Sequence, residues 1–193
     1  MLYVRGMALD RTKGEQVTTI AMKAANGKVR VAWDTQATAG NIASSKNRTK
    51  VIRVNDQFAV GVAGRVRYSN LVQRATVPHI DPRDLGDDFD AEGWAIDEVV
   101  PAWMHAVKSA WSHTPHDEDD KVPWGVALIA IQGKIIQVGS DFSVLDRGEF
   151  GAIGSGGDFA MAAMHLGKTP EQAVDVAREL DLFSGGRTEG MTV

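Results

Sequence analysis

Two strand-like runs near the start of the chain limit the folds open to it. TTIAMKAA begins at Thr18, KVRVAWD ends at Asp34, and Asn26-Gly27 separates them. An Asn-Gly pair between two such runs is the strongest short-range signal for a β-hairpin, because both residues tolerate the positive φ values of a type I′ turn. The sequence therefore predicts that the domain opens with antiparallel strands.

More strands are predicted downstream. Apolar runs at 51–54 and 58–63 flank the turn Asn55-Asp56-Gln57, and WGVALIAI and KIIQVGS flank Gly133-Lys134. Each run is short, apolar and bounded by turn residues, as strands covered on at least one face are.

Three helices are predicted between and after these strands. Large apolar residues at helical spacing indicate a helix at about 98–112, and a small-residue helix follows at 158–166. Thr169 and Pro170 resemble an N-cap and first helical residue, which predicts a helix at 170–180. Strands and helices come in blocks rather than strict alternation, which favours antiparallel sheets with helices between or over them.

Composition narrows the chemistry. The chain has 193 residues, no cysteine and a formal net charge of −4. Without cysteine there is no disulfide, thiolate zinc site, cysteine nucleophile or iron–sulfur cluster, so covalent catalysis falls to Ser, Thr, Lys or a carboxylate. No apolar run approaches the ~20 residues of a membrane-spanning helix. The sequence also lacks a stripe of basic residues of the kind that indicates nucleic-acid binding. We expect a cytoplasmic protein with no cofactor and no metal.

A strand pattern that starts abruptly at Thr18 divides the chain. Residues 1–17 contain no continuous apolar core of a secretory signal. They are predicted to be a short leader, or propeptide, and 18–193 a single domain.

Two motifs suggest other chemistry but match it poorly. GAIGSGG at 151–157 lacks the lysine of a phosphate-binding loop and the glycine that a nucleophile elbow needs two residues before its serine. It indicates a tight strand-to-helix turn instead. His113, His116 and Asp117 have the residue types of a metal site, but in a loop full of carboxylates they are more typical of a solvated surface.

The stretch from Thr18 carries the most informative chemistry. A threonine at the start of a strand, with Lys50 and Asp34 downstream, meets the requirements of an N-terminal nucleophile hydrolase. In such an enzyme the chain is cut before the threonine, and the new α-amino group is the base for its own hydroxyl. A neighbouring lysine lowers the pKa of the α-amino group and that of the hydroxyl, and a carboxylate keeps that lysine charged. Threonines on strands are common, however, and most only pack or pair across the sheet.

Five sequence blocks resemble the proteasome β-subunit family, most closely its bacterial HslV-type threonine peptidases. They are TTIAMKAANGKVRVAWDTQATAGN from Thr18, TKV at 49–51, AVGVAG at 59–64, AIGSGG at 152–157 and LDLFSGG at 180–186. The match covers about 18–75 and 150–186, and between these ranges only the order of elements agrees.

The resemblance implies a fold and an assembly. The fold would be α+β, a four-layer αββα sandwich of two antiparallel sheets with helices outside. The function would be that of a threonine endopeptidase subunit in a self-compartmentalised homo-oligomeric ring, activated by autocleavage between Val17 and Thr18. Its partners would be peptide or unfolded protein substrates and a separate AAA+ ATPase.

The resemblance also implies roles for individual residues. Thr18 would be the nucleophile and, once freed, the α-amino base; Lys50 would lower its pKa and Asp34 would pair with Lys50. Gly61 would donate its N–H to the oxyanion. Ser155, Asp181 and Ser184 would hold the amino terminus and relay protons.

Substrate-binding positions follow from the same match. An extended peptide would add as a strand along Thr38 and Gly61. The pocket for the side chain before the cleaved bond would involve Ala37, Arg48, Ile52 and Ala63. Arg48 there would favour an acidic or polar side chain.

Two departures from the family pattern keep a second reading open. The family usually has glycine before the cut, whereas this chain has the β-branched Val17, which is stiff. The chain also stops seven residues after Ser184-Gly185-Gly186, where the family continues into a longer strand. The alternative is an uncleaved, catalytically idle protein of the same fold with a structural or assembly role, for example one encoded by a phage.

Overall fold

The computed structural model describes residues 18–39, 42–75, 86, 88–111 and 125–193 of the chain. The predicted leader at 1–17 lies outside these residues, as do His113, His116 and Asp117 and most of the acid-rich segment 76–92.

The described strands pair in antiparallel fashion in three sheets. In chain order they are β1 (Thr19–Ala25), β2 (Lys28–Asp34), β3 (Ala37–Ala39), β4 (Ile42–Ser45), β5 (Val51–Asn55), β6 (Phe58–Gly64), β7 (Gly125–Ile131), β8 (Lys134–Val138), β9 (Val144–Asp146), β10 (Phe150–Gly154) and β11 (Thr188–Thr192). The first sheet has the order β10-β1-β2-β11, the second has the order β5-β6-β7-β8-β9, and β3 pairs with β4.

Helices come from three parts of the chain. They are α1 (Val66–Arg74), α2 (Ala91–Trp94), a π-helical turn (Ala95–Val99), α3 (Val100–Trp111), α4 (Gly157–His165) and α5 (Pro170–Leu180). No helix in the described ranges is both long enough and apolar enough to cross a bilayer.

Three clusters of buried side chains hold these elements together. One joins the second sheet to α1 and the helices at 91–111, with Trp103 fully buried in it. Another joins side chains of both sheets, among them Ile20 of β1 and Leu128 of β7. The third packs Ala21 and other small residues of the first sheet against α4 and α5. The antiparallel sheets and their helices confirm the predicted α+β class.

The first hairpin forms as the sequence predicts. β1 and β2 pair from Ile20 with Trp33 to Ala25 with Lys28. Asn26 and Gly27 have φ values of 52° and 70°, so both occupy the left-handed region that the tight turn requires. The pairs β5–β6 and β7–β8 are likewise confirmed.

The glycine-rich run is a strand-to-helix turn, also as predicted. β10 ends at Gly154, and α4 begins three residues later at Gly157. Gly154 has φ +96°, and a Cβ there would collide with the carbonyl oxygen of Thr18. Glycine therefore lets β10 approach the backbone that begins β1.

The helix predicted at 98–112 begins earlier than expected. Helical structure starts at Ala91, where the Asp90 carboxylate accepts a hydrogen bond from the Gly93 N–H at 2.9 Å. Pro101 has no N–H to donate to the carbonyl four residues earlier, and the π-helical turn at Ala95–Val99 lies just before it. Pro101 thus sits inside a longer helical segment rather than in its first turn.

The described structure also contains elements that the sequence did not predict. α1 is the longest of them, and it buries Tyr68, Ser69 and Val72 on one side. The short strands β3, β4, β9 and β11 complete the set.

The start of α5 allows a test of the fold. The Thr169 hydroxyl accepts the Gln172 N–H at 3.3 Å, and the Gln172 side chain accepts the Thr169 N–H at 3.1 Å. We expect Thr169→Ala to lower the free energy of unfolding by about 1 kcal/mol, because an orphan helix N–H loses its partner. Lys168→Ala, at the exposed residue just before the cap, is the matched control and should change the free energy of unfolding little. Urea denaturation of both variants measures the difference, and equal stabilities would contradict the assigned cap.

Candidate active site

A buried ion pair joins the two main sheets. Lys50 Nζ lies 2.6 Å from Asp34 Oδ1, and the two side chains are 2% and 0% exposed. Asp34 is the last residue of β2 in the first sheet, and Lys50 immediately precedes β5 in the second. The structure thus brings together two of the residues that the sequence predicted to act jointly.

Backbone N–H groups hold the Asp34 carboxylate from three directions. Oδ1 also accepts the Thr19 N–H at 2.7 Å, and Oδ2 accepts the N–H groups of Gln36 at 3.2 Å and Gly185 at 3.0 Å. A buried carboxylate is tolerated when its lone pairs are satisfied in this way. The carboxylate is therefore fixed as an acceptor and orients the ammonium of Lys50.

Burial and neighbouring charges set the proton affinity of Lys50. Burial lowers the pKa of its ammonium below the ordinary range for lysine; the charge and hydrogen bond of Asp34 oppose this shift, and the positive charge of Arg48 adds to it. A lysine tuned in this way can favour deprotonation of groups beside it while staying oriented by its partner.

Thr18 and Lys50 share one cavity. Thr18 precedes β1 and is 4% exposed. It lines a cavity of about 200 Å³ together with Lys50, Ala37, Thr38 and Arg48. A hydroxyl-bearing residue, a buried lysine and a partly open cavity thus occur in one place.

A second polar network contacts the backbone of Thr18. The Asp181 carboxylate oxygen Oδ2 accepts the hydroxyls of Ser155 and Ser184, each at 2.6 Å. The Thr18 N–H donates to Ser155 Oγ at 3.4 Å. The three residues predicted to surround the amino terminus are therefore in contact with one another and reach Thr18 through Ser155.

Thr19, which the sequence reasoning did not single out, connects the two networks. Its N–H donates to Asp34, and its hydroxyl shares a 2.6 Å hydrogen bond with Ser184 Oγ. Thr19 is completely buried. Its alternation with Ile20, which packs between the sheets, is the sequence signal that places its side chain on the opposite face.

The predicted substrate-binding residues separate into two groups. Ala37, Thr38 and Arg48 line the cavity that contains Thr18 and Lys50. Ala63 belongs instead to the cluster between the two sheets, and Ile52 packs against the cluster beneath α1 and α3. Gly61 also faces the space between the sheets, since a Cβ there would lie 3.0 Å from Ile20 Cγ2.

Neighbouring residues of β6 and α1 take the remaining places on the cavity wall. They are Val62, Gly64, Arg65, Val66 and Ser69. Because side chains alternate along a strand, residues 62 and 64 face the opposite side from 61 and 63. The alternation of side chains along β6 was therefore the sequence signal for Val62 and Gly64. Val66 and Ser69 could be predicted as lining residues only if α1 was recognised first.

Metal-binding residue types are dispersed in the described part of the chain. No group of three or more His, Cys, Asp or Glu side chains there is arranged to hold a metal ion.

Comparison with known proteins identifies the fold. No family model matches the sequence, and no curated protein does. Among solved structures, BPH from Thiobacillus denitrificans is 21% identical with a TM-score of 0.69, over 91% of this chain and 97% of that one. Eukaryotic HslV from Trypanosoma brucei is 20% identical with a TM-score of 0.64, over 91% and 98%. BPH in complex with epoxomicin is 20% identical with a TM-score of 0.68, also over 91% and 98%.

These likenesses are structural rather than close in sequence. They show that the chain has the fold of HslV and BPH. The predicted resemblance to HslV-type proteins is therefore confirmed at the level of the fold.

The ion pair can be tested by breaking it from either side. Lys50→Met leaves the buried Asp34 carboxylate without its cation, and we expect the free energy of unfolding to fall by about 3–5 kcal/mol. Asp34→Asn should also destabilise the protein and lower the pKa of Lys50 further, because the attraction that opposes burial is lost.

The pH dependence of the Asp34→Asn variant gives a second readout. Between the lowered pKa of Lys50 and its ordinary value, the unfolded chain binds the proton and the folded chain does not. The stability of this variant should therefore rise with pH through that interval, more steeply than that of the wild type. The double variant Asp34→Asn/Lys50→Met should lose less than the sum of the single losses in urea denaturation. Additive losses would show that the two groups do not interact.

Proposed function

We propose that this chain is a threonine endopeptidase subunit that becomes active when the bond between Val17 and Thr18 is cut. The observation that carries the proposal is the buried Lys50–Asp34 pair, whose lysine lines the same cavity as Thr18. The fold shared with HslV supports the same conclusion.

Cleavage would supply the missing base. In the proposed step Thr18 Oγ1 attacks the Val17 carbonyl carbon, the bond from that carbon to Thr18 N breaks, and water hydrolyses the resulting ester. The products are a carboxylate on Val17 and a free α-amino group on Thr18. This amine has a reference pKa of about 7.7–8.0, close to working pH, which suits a group that must take up and return a proton.

The freed amine and hydroxyl would then act together on a peptide. The amine accepts the proton of the hydroxyl as Oγ1 bonds to the substrate carbonyl carbon, and the ammonium gives that proton to the leaving amine. Water hydrolyses the acyl-threonine ester and regenerates the enzyme. The positive charge of Lys50, 2.6 Å from Asp34, favours the deprotonated hydroxyl.

The polar network around Asp181 is suited to holding the new amine. Ser155 Oγ already accepts the Thr18 N–H, and it donates to Asp181. After cleavage the same oxygen and carboxylate would accept hydrogen bonds from the amine and stabilise its protonated form. The Ser184 hydroxyl also donates to the Asp181 carboxylate, and it would keep Asp181 in position.

Two glycines of β6 are candidates for the oxyanion donor. The sequence match predicts Gly61. The Val62 N–H donates to the Lys50 carbonyl at 3.1 Å and therefore points towards the β5 side. Because N–H groups alternate in direction along a strand, the N–H of Gly61 points away from β5, and that of Gly64 points to the same side as Val62. Gly64 lies beyond the start of β5, lines the cavity and has φ +127°. We therefore propose the Gly64 N–H as the donor that the register favours.

The assembly belongs to the same proposal. We propose the four-layer αββα arrangement of the N-terminal nucleophile hydrolases, in homo-oligomeric rings supplied by a separate AAA+ ATPase. An extended peptide or unfolded protein would enter along Thr38, adding a strand beside β3. The HslV likeness supports this assembly.

The idle alternative has one specific observation in its favour. Val17 is β-branched, which restricts the backbone that must bend over the attacking hydroxyl. In that case the chain would stay whole, and the Lys50–Asp34 pair would serve stability or assembly.

The intact mass of the purified protein separates the two functions. We expect loss of residues 1–17 in the wild type, faster loss in Val17→Gly because glycine relieves the restriction, and a full-length mass in Thr18→Ala because the attacking oxygen is gone. Hydrolysis of fluorogenic peptides should appear with processing and be absent in Thr18→Ala. Thr192→Ala, on the exposed end of β11, is the control threonine variant and should process like the wild type.

A full-length mass in both the wild type and Val17→Gly, with no peptide hydrolysis, would exclude the peptidase and leave the idle alternative.

A further inference from the structure

A single buried residue, Thr35, ties together two parts of the chain that lie far apart in sequence and carry groups around Thr18. Thr35 directly follows β2 and is 1% exposed. One of the two parts is the segment 46–49, which leads to Lys50, and the other is the loop 184–187, which begins with Ser184. Neither part belongs to a helix or a strand, so its position depends on individual hydrogen bonds.

The polar atoms of Thr35 are all used in holding these two parts. Towards the first, its hydroxyl donates to the Lys46 carbonyl at 2.7 Å and its carbonyl accepts the Arg48 N–H at 2.9 Å. Towards the second, its N–H donates to the Arg187 carbonyl at 3.0 Å and its hydroxyl accepts the Arg187 N–H at 2.8 Å. The hydroxyl is therefore a direct link between the two parts, because it donates to one and accepts from the other.

Gly186 lets the loop approach this hydroxyl closely. A Cβ at Gly186 would lie 2.5 Å from Thr35 Oγ1 and 3.1 Å from the Lys46 carbonyl oxygen, and the shorter distance is too close for a carbon atom. Gly186 also has φ +76°, in the left-handed region that favours glycine. The contact between the two parts thus depends on a glycine in the loop as well as on the hydroxyl of Thr35.

These bonds fix groups that lie further along the chain. Lys50 follows Lys46 by four residues, and Ser184 precedes Arg187 by three. Lys50 pairs with Asp34 and Ser184 donates to Asp181, so neither of these bonds involves Thr35 itself. A displacement of about 1 Å, even one that starts away from the reacting atoms, can cost an enzyme about 100-fold in rate. Thr35 is therefore placed to influence chemistry at Thr18 without contacting a substrate.

We propose that Thr35 is a positioning residue of the proposed peptidase. Its hydroxyl holds the segment before Lys50 and the loop after Ser184 against each other, so that the cation and the Asp181 network reach Thr18 together. This role rests on the proposed function, because Lys50 and Ser184 act on Thr18 only in a peptidase. A hydroxyl that served stability alone could be removed, at a cost in stability, without any change at Lys50.

The rate of cleavage between Val17 and Thr18 tests this role, followed by intact mass in a time course after cell-free synthesis. Thr35→Val keeps the shape of the side chain and removes the hydroxyl, and we expect it to be processed at least about tenfold more slowly than the wild type. Thr35→Ser restores the hydroxyl and should be processed at nearly the wild-type rate. A wild-type rate in a folded Thr35→Val would overturn the proposal and leave the peptidase intact.

Thr169→Val is the matched control. It also removes a threonine hydroxyl that accepts a backbone N–H, but at the start of α5. This variant should lower thermal stability, because the helix loses its cap, and leave the rate of processing unchanged. Equal slowing in Thr35→Val and Thr169→Val would show that lost stability alone is responsible, and would overturn the proposal.

The titration of Lys50 tests the same role without any cleavage. In full-length Thr18→Ala with labelled lysines, NMR identifies the Lys50 side chain as the signal that Lys50→Arg removes. Burial is the largest influence on this ammonium and lowers its pKa; the charged groups that act on it are Asp34, Arg48 and Asp181. Thr35→Val alters none of these charges, but it frees the segment before Lys50. We therefore expect water to reach the ammonium and its pKa to rise towards the ordinary range.

The two measurements separate the possible failures. If the wild type stays full length, the proposed peptidase fails and the Lys50 titration alone decides the role of Thr35. A raised pKa in Thr35→Val, absent in Thr169→Val, would then support positioning of Lys50 by the hydroxyl, and an unchanged pKa would overturn it. If Thr35→Val does not fold, Thr35→Ala takes its place, because the smaller side chain leaves room for a water. We expect an intermediate effect from Thr35→Ala, and an unchanged rate and titration would overturn the proposal.

Discussion

The ion pair between Lys50 and Asp34 is the contact on which the rest of the site depends. It connects the end of β2 with the start of β5, and so fixes one sheet against the other at the position of Thr18. Removing two charges from water costs several kcal/mol per ion, and the attraction between them recovers this only when the remaining lone pairs are satisfied. Here N–H groups from Thr19, Gln36 and Gly185 satisfy them. Apolar residues in place of the pair would leave these N–H groups without an acceptor, so the Asp34 carboxylate serves the fold as well as the chemistry proposed beside it.

Thr19 makes the two polar networks a single unit. Through its N–H it contacts Asp34, and through its hydroxyl it contacts Ser184, which in turn donates to Asp181. Thr18 therefore shares a cavity with the fixed cation and donates its N–H to the fixed acceptor network, and its neighbour Thr19 bridges the two. Catalytic groups held in this way need little rearrangement when charge develops. Arg48 and Arg65 line the same cavity as Thr18 and Lys50.

Local chemistry predicted the fold well where it was strong. Asn26-Gly27, the capping residue Thr169 and the apolar runs on both sides of Gly133 each determine an element through adjacent residues, and these elements are present. α1 was not predicted, because its buried residues include Ser69 and its exposed side carries Val66. Ion-pair partners were predicted by resemblance and are in contact. The pocket was predicted only in part, since a strand reverses its side-chain direction at each residue and only the three-dimensional structure shows which side of β6 faces the cavity.

The hydrogen bonds around Thr18 span most of the chain. Thr18 and Ser155 are 137 residues apart, Thr19 and Ser184 are 165 apart, and Asp34 and Gly185 are 151 apart. Contacts of such long sequence separation form late, because the intervening chain must be ordered first. During synthesis the threonine emerges well before its partners near residue 184. A nascent or C-terminally truncated chain consequently lacks the groups that would activate Thr18. The order of folding would thus delay activation of the proposed peptidase until the partners of Thr18 are ordered.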